Sequence, residues 1–173
     1  MDSGNLKHIS IVPAKTSPQF RAIEQLARVI IPEVYGPYIA EEHNQFFITK
    51  FQTAEAIQAQ IGEGFEYYLL NYGQQSVGYL GIRSTGEVLI LGKLYVLSEH
   101  RGKGIGRVAM DFAIARANAD RVKKIELVVN RKNVRAIDFY ATYSFAITQD
   151  LIHSFENGHS IEDYKMTKML ATT

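Results

Sequence analysis

The sequence predicts one α/β (α+β) domain over residues 1–173, a mixed and mostly antiparallel sheet with helices on both faces. Three observations carry that reading. Strand patterns follow one another through the middle of the chain, separated only by short turns. A glycine-rich turn, Arg101-Gly102-Lys103-Gly104-Ile105-Gly106, joins one of those strands to a one-sided helix. No linker, repeat or low-complexity stretch interrupts the chain.

Taken in order, Leu6 to Val12 reads as a strand closed by Pro13. Ser17-Pro18 supplies an N-cap and a first-turn proline, and Phe20, Ile23, Ala27 and Ile30 follow at helical spacing until Pro32. From Glu33 to Phe51 the pattern is irregular and aromatic. A short helix is expected from Thr53 to Ile61, stopped by Gly62-Glu63-Gly64. Three strands then meander through 65–72, 76–84 and 87–97, with turns at Gly73 and Thr85-Gly86. The helix after the glycine turn runs from Arg107 to Ala119 and carries Val108, Ala109, Phe112 and Ala113 on one side. Lys124 to Val129 is a strand, Val134 to Thr142 a short helix, and Phe145 to Phe155 with His159 to Met169 a hairpin turned at Glu156-Asn157-Gly158. The order is β-α-α-β-β-β-α-β-α-β-β.

The glycine turn is where chemistry is expected. The first amides of a helix lack intrahelical acceptors, and the helix dipole favours negative charge there. A loop poor in β-carbons lets a phosphate approach those amides. The spacing excludes two common phosphate motifs: a dinucleotide fingerprint counted from Gly102 ends on Arg107, and no Gly-Lys-Ser/Thr ending exists. What remains is Arg-x-x-Gly-x-Gly, carried by Arg101, Gly104 and Gly106. In the second segment, Asn133 stands at an N-cap and Tyr140 lies two helical turns further on, near the same side.

Both segments resemble the GCN5-related N-acetyltransferase superfamily. KLYVLSEHRGKGIGR, from Lys93 to Arg107, is similar to its fourth strand, loop and third helix, and Asn133, Ala136 and Phe139-Tyr140 to its next motif. The resemblance covers the chain from end to end and implies the acyl-CoA N-acyltransferase fold, with acetyl-CoA as co-substrate. It implies that Leu94, Tyr95 and Val96 meet the pantetheine arm and that Arg101, Gly102, Lys103, Gly104, Ile105, Gly106 and Arg107 grip the pyrophosphate. Asn133 and Ala136 then belong to the cofactor site, and Tyr140 is the general acid for the departing thiolate. In one place the chain departs from the pattern: Ser144 precedes Phe145 where the family usually has glycine. If that position needs a positive φ, serine carries a steric cost.

The acceptor is expected at the segment between the first two helices, where Glu33, Glu41 and Glu42 alternate with Tyr35, Tyr38, His43 and Phe46. Carboxylates beside aromatic faces suit a cationic amine, and the whole chain is similar to the bacterial branch that includes spermine/spermidine acetyltransferases. Polyamines or other small amines lead, peptide amines follow. No general base is readable: for Glu99, Glu126, Glu162 and Asp163 a solvated surface carboxylate is the better reading than a catalytic base. A non-catalytic acetyl-CoA sensor of the same fold and an unrelated nucleotide-binding protein are the rival readings.

Composition removes other classes. Net charge is +1, from 19 basic and 18 acidic side chains, so no one-signed field suits nucleic acid. Zero cysteines exclude disulfides, thiolate metal sites and a cysteine nucleophile, and no metal is expected. No apolar run reaches the ~20 residues of a membrane span, and Met1 to Lys7 lacks a signal-peptide core, so a cytoplasmic protein is the expectation. The resemblance allows a homodimer, although no residue pattern marks an interface.

Overall fold

A computed structural model describes residues 8–154, 158 and 160–171. Strand β1 (Ile9–Pro13) leads to three helices, α1 (Ser17–Tyr35), α2 (Glu41–Phe51) and α3 (Ala54–Gly62). The meander β2 (Glu66–Tyr72), β3 (Gln75–Thr85) and β4 (Val88–Val96) follows, then a 3₁₀ turn at Ser98–His100 and α4 (Ile105–Ala119). β5 (Lys124–Asn130), α5 (Val134–Thr142), β6 (Ala146–Ser154) and β7 (Ser160–Met169) complete the chain. The seven strands form one sheet in the order β1-β2-β3-β4-β5-β7-β6, antiparallel except for β4 against β5. The expected start at Leu6 and the turn residues Glu156 and Asn157 lie outside the described residues.

Helices cover both faces of the sheet. Because alternate strand residues point to opposite faces, Tyr67, Leu69 and Tyr79 join a core with Phe20, Ile23 and Ile30 of α1. Their neighbours Tyr68, Leu70 and Leu80 join a second core with Ala109, Met110 and Ala113 of α4. Small residues on the inner side of α4 let that helix lie close to the strands.

Three expectations need correction. The segment from Glu33 to Phe51 is not irregular, since α2 occupies most of it. Glu41 and Glu42 sit in its first turn and Lys50 in its last, matching the helix dipole, while Asn44 and Ile48, four apart, are buried. Pro32 does not end α1, which continues to Tyr35; Ile30 and Ile31 are fully buried there, and the Pro32 carbonyl still accepts from Gly36 N at 2.8 Å. Packing outweighs one missing amide. The N-cap of that helix is Thr16, one residue before Ser17, and Gln19 Oε1 accepts from its amide at 3.0 Å.

A bulge in β4 positions the site. Ile82 pairs with Leu91 and Gly81 with Lys93, leaving Gly92 unpaired between them. A Cβ on Gly92 would stand 2.9 Å from the Phe65 ring. The extra residue reverses the alternation: Leu89 and Leu91 face α4 before it, whereas Leu94 and Val96 do so after it. Lys93 and Tyr95 are thereby turned towards α1 and α2. Pairing with β5 covers only Val88↔Lys124 to Ile90↔Glu126. From the bulge onward the two strands part.

Candidate functional site

A cleft of about 1020 Å³ opens where β4 and β5 separate. Every residue expected to hold the cofactor lines it, and so does the expected general acid: Leu94 to Val96 from β4, Arg101 to Arg107 from the glycine turn, and Asn133, Ala136 and Tyr140 around α5.

The turn is shaped for an anion. Gly102 and Gly104 have φ of +76° and +88°, values that side-chain-bearing residues rarely adopt. Gly104 occupies the N-cap of α4 and provides no side-chain acceptor, so the amides of Ile105 and Gly106 meet the cleft uncapped. Arg101 is fastened by its Nε, which donates to the Val96 carbonyl at 3.2 Å. Burial and the neighbouring Arg135 pull its guanidinium below the usual range, and Glu33 opposes them. Lys103 Nζ lies 3.2 Å from His100 Nδ1 and 5.0 Å from the centre of the Tyr72 ring. Two cations were missed in the sequence, Lys132 and Arg135; their position on either side of Asn133 was the available signal. Among the described residues they bring, with Arg101, Lys103 and Arg107, five Lys and Arg side chains to a cleft lined by one carboxylate, Glu33. Such a site favours a polyanion.

On α5, Asn133 is a cap in fact: its Oδ1 accepts from Ala136 N at 3.3 Å. Tyr140 is wedged between Phe139 and Phe145, at ring-centre distances of 5.6 and 5.8 Å. Burial pushes its phenol up to about 12. Nearby, Tyr35 Oη and Tyr95 Oη are hydrogen bonded at 3.0 Å, and burial raises both phenols as well. These hydroxyls therefore keep their protons across the physiological range.

The expected acceptor segment is only partly assembled here. Glu33, Tyr35 and Tyr38 line the cleft, with Glu33 Oε2 accepting from Ser98 N at 3.3 Å. Glu41, Glu42, His43 and Phe46 are absent from the lining because α2 carries them elsewhere; Phe46 is 53% exposed, and the Lys50 ammonium covers its ring. Among the candidate bases, Glu99 is 71% exposed. Glu126 pairs with Lys124 and Lys165, and Glu162 with Arg131. Asp163 differs, being only 15% exposed, with burial raising its carboxyl above the ordinary range.

Among the described residues no group of His, Asp or Glu is placed to hold a metal ion, and no helix is long and apolar enough to cross a membrane.

Residues 31–145, about two thirds of the chain, match the family model described as acetyltransferase (GNAT) family. No curated protein is matched. Among solved structures, the PaiA N-acetyltransferase from Thermoplasma acidophilum, in complex with coenzyme A, superposes with a TM-score of 0.76 at 17% identity, covering 94% of this chain and 99% of that one. A GNAT family acetyltransferase from Elizabethkingia anophelis with acetyl-CoA bound gives 0.63 at 17% identity, over 94% and 99%. The spermidine/spermine N-acetyltransferase SpeG from Vibrio cholerae, in mutant forms, gives 0.68 at 16% identity, over 94% of both chains. Likenesses at these identities speak for the fold.

Proposed function

This chain belongs to the acetyltransferase (GNAT) family, enzymes that take their acetyl group from acetyl-CoA, and on that premise we propose that it acetylates a primary amine of a small molecule, with Tyr140 as general acid. The observation that supports this reading is that one cleft unites the uncapped glycine turn of α4 with the buried hydroxyl of Tyr140.

Acetyl-CoA, when bound, supplies the activated acetyl thioester. The chain's part is to hold and to protonate. Arg101, Lys103 and Arg107, with the amides of Ile105 and Gly106, fit the pyrophosphate, and Lys132 and Arg135 extend the same positive field. Beyond the bulge, Leu94, Tyr95 and Val96 present a strand edge without a β5 partner, which suits the amide-bearing pantetheine arm. The acceptor nitrogen must be neutral to attack, and the departing thiolate gains from a proton. Tyr140, with its phenol pushed up to about 12, holds that proton at neutral pH. Glu33 and the hydroxyls of Tyr35, Tyr38 and Tyr95 are the polar groups at the acceptor's disposal. Glu33 beside these aromatic faces suits a cationic amine, which supports small amines, polyamines among them.

The test is CoA release from acetyl-CoA with spermidine, putrescine, butylamine and a lysine peptide as acceptors. The chain has no cysteine, so a thiol reagent reads CoA alone. Small amines should be acetylated well above the peptide; a peptide-only activity would overturn the ranking. Tyr140→Phe should lower kcat by about 10²-fold or more, with acetyl-CoA affinity nearly retained. Because the phenol keeps its proton up to about pH 11, no loss of wild-type rate from Tyr140 ionisation is expected at pH 9 or below. An unchanged kcat in Tyr140→Phe would remove this residue from the mechanism. CoA binding without any acetyl transfer to any acceptor would identify a sensor instead.

A further inference from the structure

A smaller cavity of about 220 Å³ adjoins the main cleft, and Tyr38 and Lys132 line both. Its walls come from three places: Tyr38 in the stretch between α1 and α2, Asn130 to Lys132 at the end of β5, and Ser160 to Glu162 at the start of β7. Two of these residues carry buried polar atoms with no hydrogen-bond partner among the described residues, the Tyr38 hydroxyl and Arg131 Nε. Both are donors. A guanidinium Nε always carries its hydrogen, and burial raises the Tyr38 phenol to about 12, so its proton is kept at neutral pH.

Lys132 adds an ammonium without an ion pair among the described residues, and Ser160 adds a hydroxyl. Against these donors stands one lining carboxylate, Glu162, and Arg131 engages it. Arg131 Nη1 donates to Glu162 Oε2 at 3.3 Å, while Nη2 lies 2.8 Å from Asp150 Oδ1. Asn130 is committed as well, since its Oδ1 accepts from Lys132 N at 3.0 Å and its amide donates to Asp163. Asp163 itself lines neither cavity and has His153 Nε2 at 3.8 Å. An N–H or O–H shut away from water without an acceptor is costly, so the unmet need of this cavity is for acceptor oxygens. With Arg131 balanced by carboxylates, Lys132 is the charge left over, and one negative charge neutralises it. A carboxylate meets both needs, with two acceptor oxygens and a single charge. A cation would meet two cations there, and a phosphate dianion would exceed the positive charge on offer.

We propose that this cavity receives a carboxylate of the acceptor, so that the preferred acceptor is a small amino acid whose amine reaches the main cleft past Tyr38 and Lys132. This rests on the small-amine reading above and deepens it: Glu33 and the tyrosine hydroxyls serve the reacting nitrogen, and the donor-lined cavity selects, among amines, those that carry an acid group.

The test measures kcat/KM at saturating acetyl-CoA for glycine, β-alanine, 4-aminobutyrate and 6-aminohexanoate, each beside the alkylamine that lacks its carboxylate. At the spacing that spans the two cavities the amino acid should be preferred by about tenfold or more, mainly through KM. Lys132→Met should collapse that preference towards parity, and Tyr38→Phe should reduce it. Lys132 also lines the cofactor cleft, so the readout is the ratio between the two acceptors, from which a change in acetyl-CoA binding cancels. A wild type that prefers no amino acid over its alkylamine, or a preference that survives Lys132→Met, overturns the proposal. So does a preference for putrescine over every amino acid, or for O-phosphoethanolamine over β-alanine. If the wild type acetylates none of these amines, the small-amine reading falls, and the cavity is judged separately by calorimetry of the same pairs with the CoA-saturated protein. Binding of an amino acid but not of its alkylamine, lost in Lys132→Met, upholds the carboxylate site; any other result refutes it.

Discussion

Replacing Lys93 with methionine should make the protein more stable at neutral pH. The Gly92 bulge turns Lys93 towards α2, where its ammonium lies 5.2 Å from the ring centre of Phe47 and 5.9 Å from that of Phe51. No carboxylate pairs with it among the described residues. Burial lowers its pKa from 10.5 to about 8, a depression that corresponds to roughly 3 kcal/mol against the charged form, at about 1.4 kcal/mol per pH unit. The two aromatic rings return about 1–2 kcal/mol of cation–π attraction. Methionine keeps an unbranched stem of similar length and carries no charge, so the net gain at pH 7 is about 1–2 kcal/mol, or roughly 3–6 °C in Tm for a chain of this size. The sign of the pH dependence follows from the direction of the shift. Between about pH 8 and 10.5 the unfolded chain holds the Lys93 proton and the folded chain has lost it, so wild-type stability from this source rises with pH. The advantage of Lys93→Met is therefore complete below about pH 8 and vanishes by about pH 10.5. Melting both proteins at a series of pH values across that window measures the difference directly. A methionine variant that is less stable at neutral pH, or a difference that does not shrink with rising pH, would refute the account of Lys93 as a buried, uncompensated cation.

Ser144 has φ +66°, in the left-handed region, where a side chain costs about 1–2 kcal/mol. Glycine removes that cost but gives back about 0.4–1 kcal/mol in unfolded-chain entropy, so Ser144→Gly should raise Tm by roughly 1–4 °C in a thermal melt; a lower Tm would show that the serine side chain is itself stabilising. Gly104→Val places a branched residue at φ +88° on the N-cap of α4 and should abolish acetyl-CoA binding. The wild type should gain about 2.7 kcal/mol at ~100 times the dissociation constant, roughly 5–10 °C, and the variant nothing; an undiminished shift in a folded variant would refute the phosphate-loop assignment. If ATP or NAD protects the wild type and acetyl-CoA does not, the same melts would overturn the choice of ligand.

What could be read from the sequence was what near neighbours decide. The turn from Arg101 to Gly106 was legible because positive-φ glycines between a strand and a helix describe an uncapped helix start without any distant contact. Asn133 was legible as a cap because its acceptor serves an amide three residues away. The doubt attached to Ser144 was also local, and the backbone has the positive φ that makes serine costly there. The end of α1 and the existence of α2 were not legible, since burial of Ile31 and Ile48 against other elements outweighs a proline and a weak amphipathic pattern.

The order of the strands and the chemistry of the anion-binding turn thus follow from the sequence by itself, since propensity, periodicity and capping act over one or two turns of chain. Only the tertiary structure decided which charges lose their water. Lys93 is turned inward by a bulge whose effect depends on the β3–β4 register, and Asp163 is enclosed because β7 inserts between β5 and β6. Tyr35 meets Tyr95 across 60 residues. Burial of a charge is a property of its surroundings in space, and the residues that create those surroundings are remote in sequence.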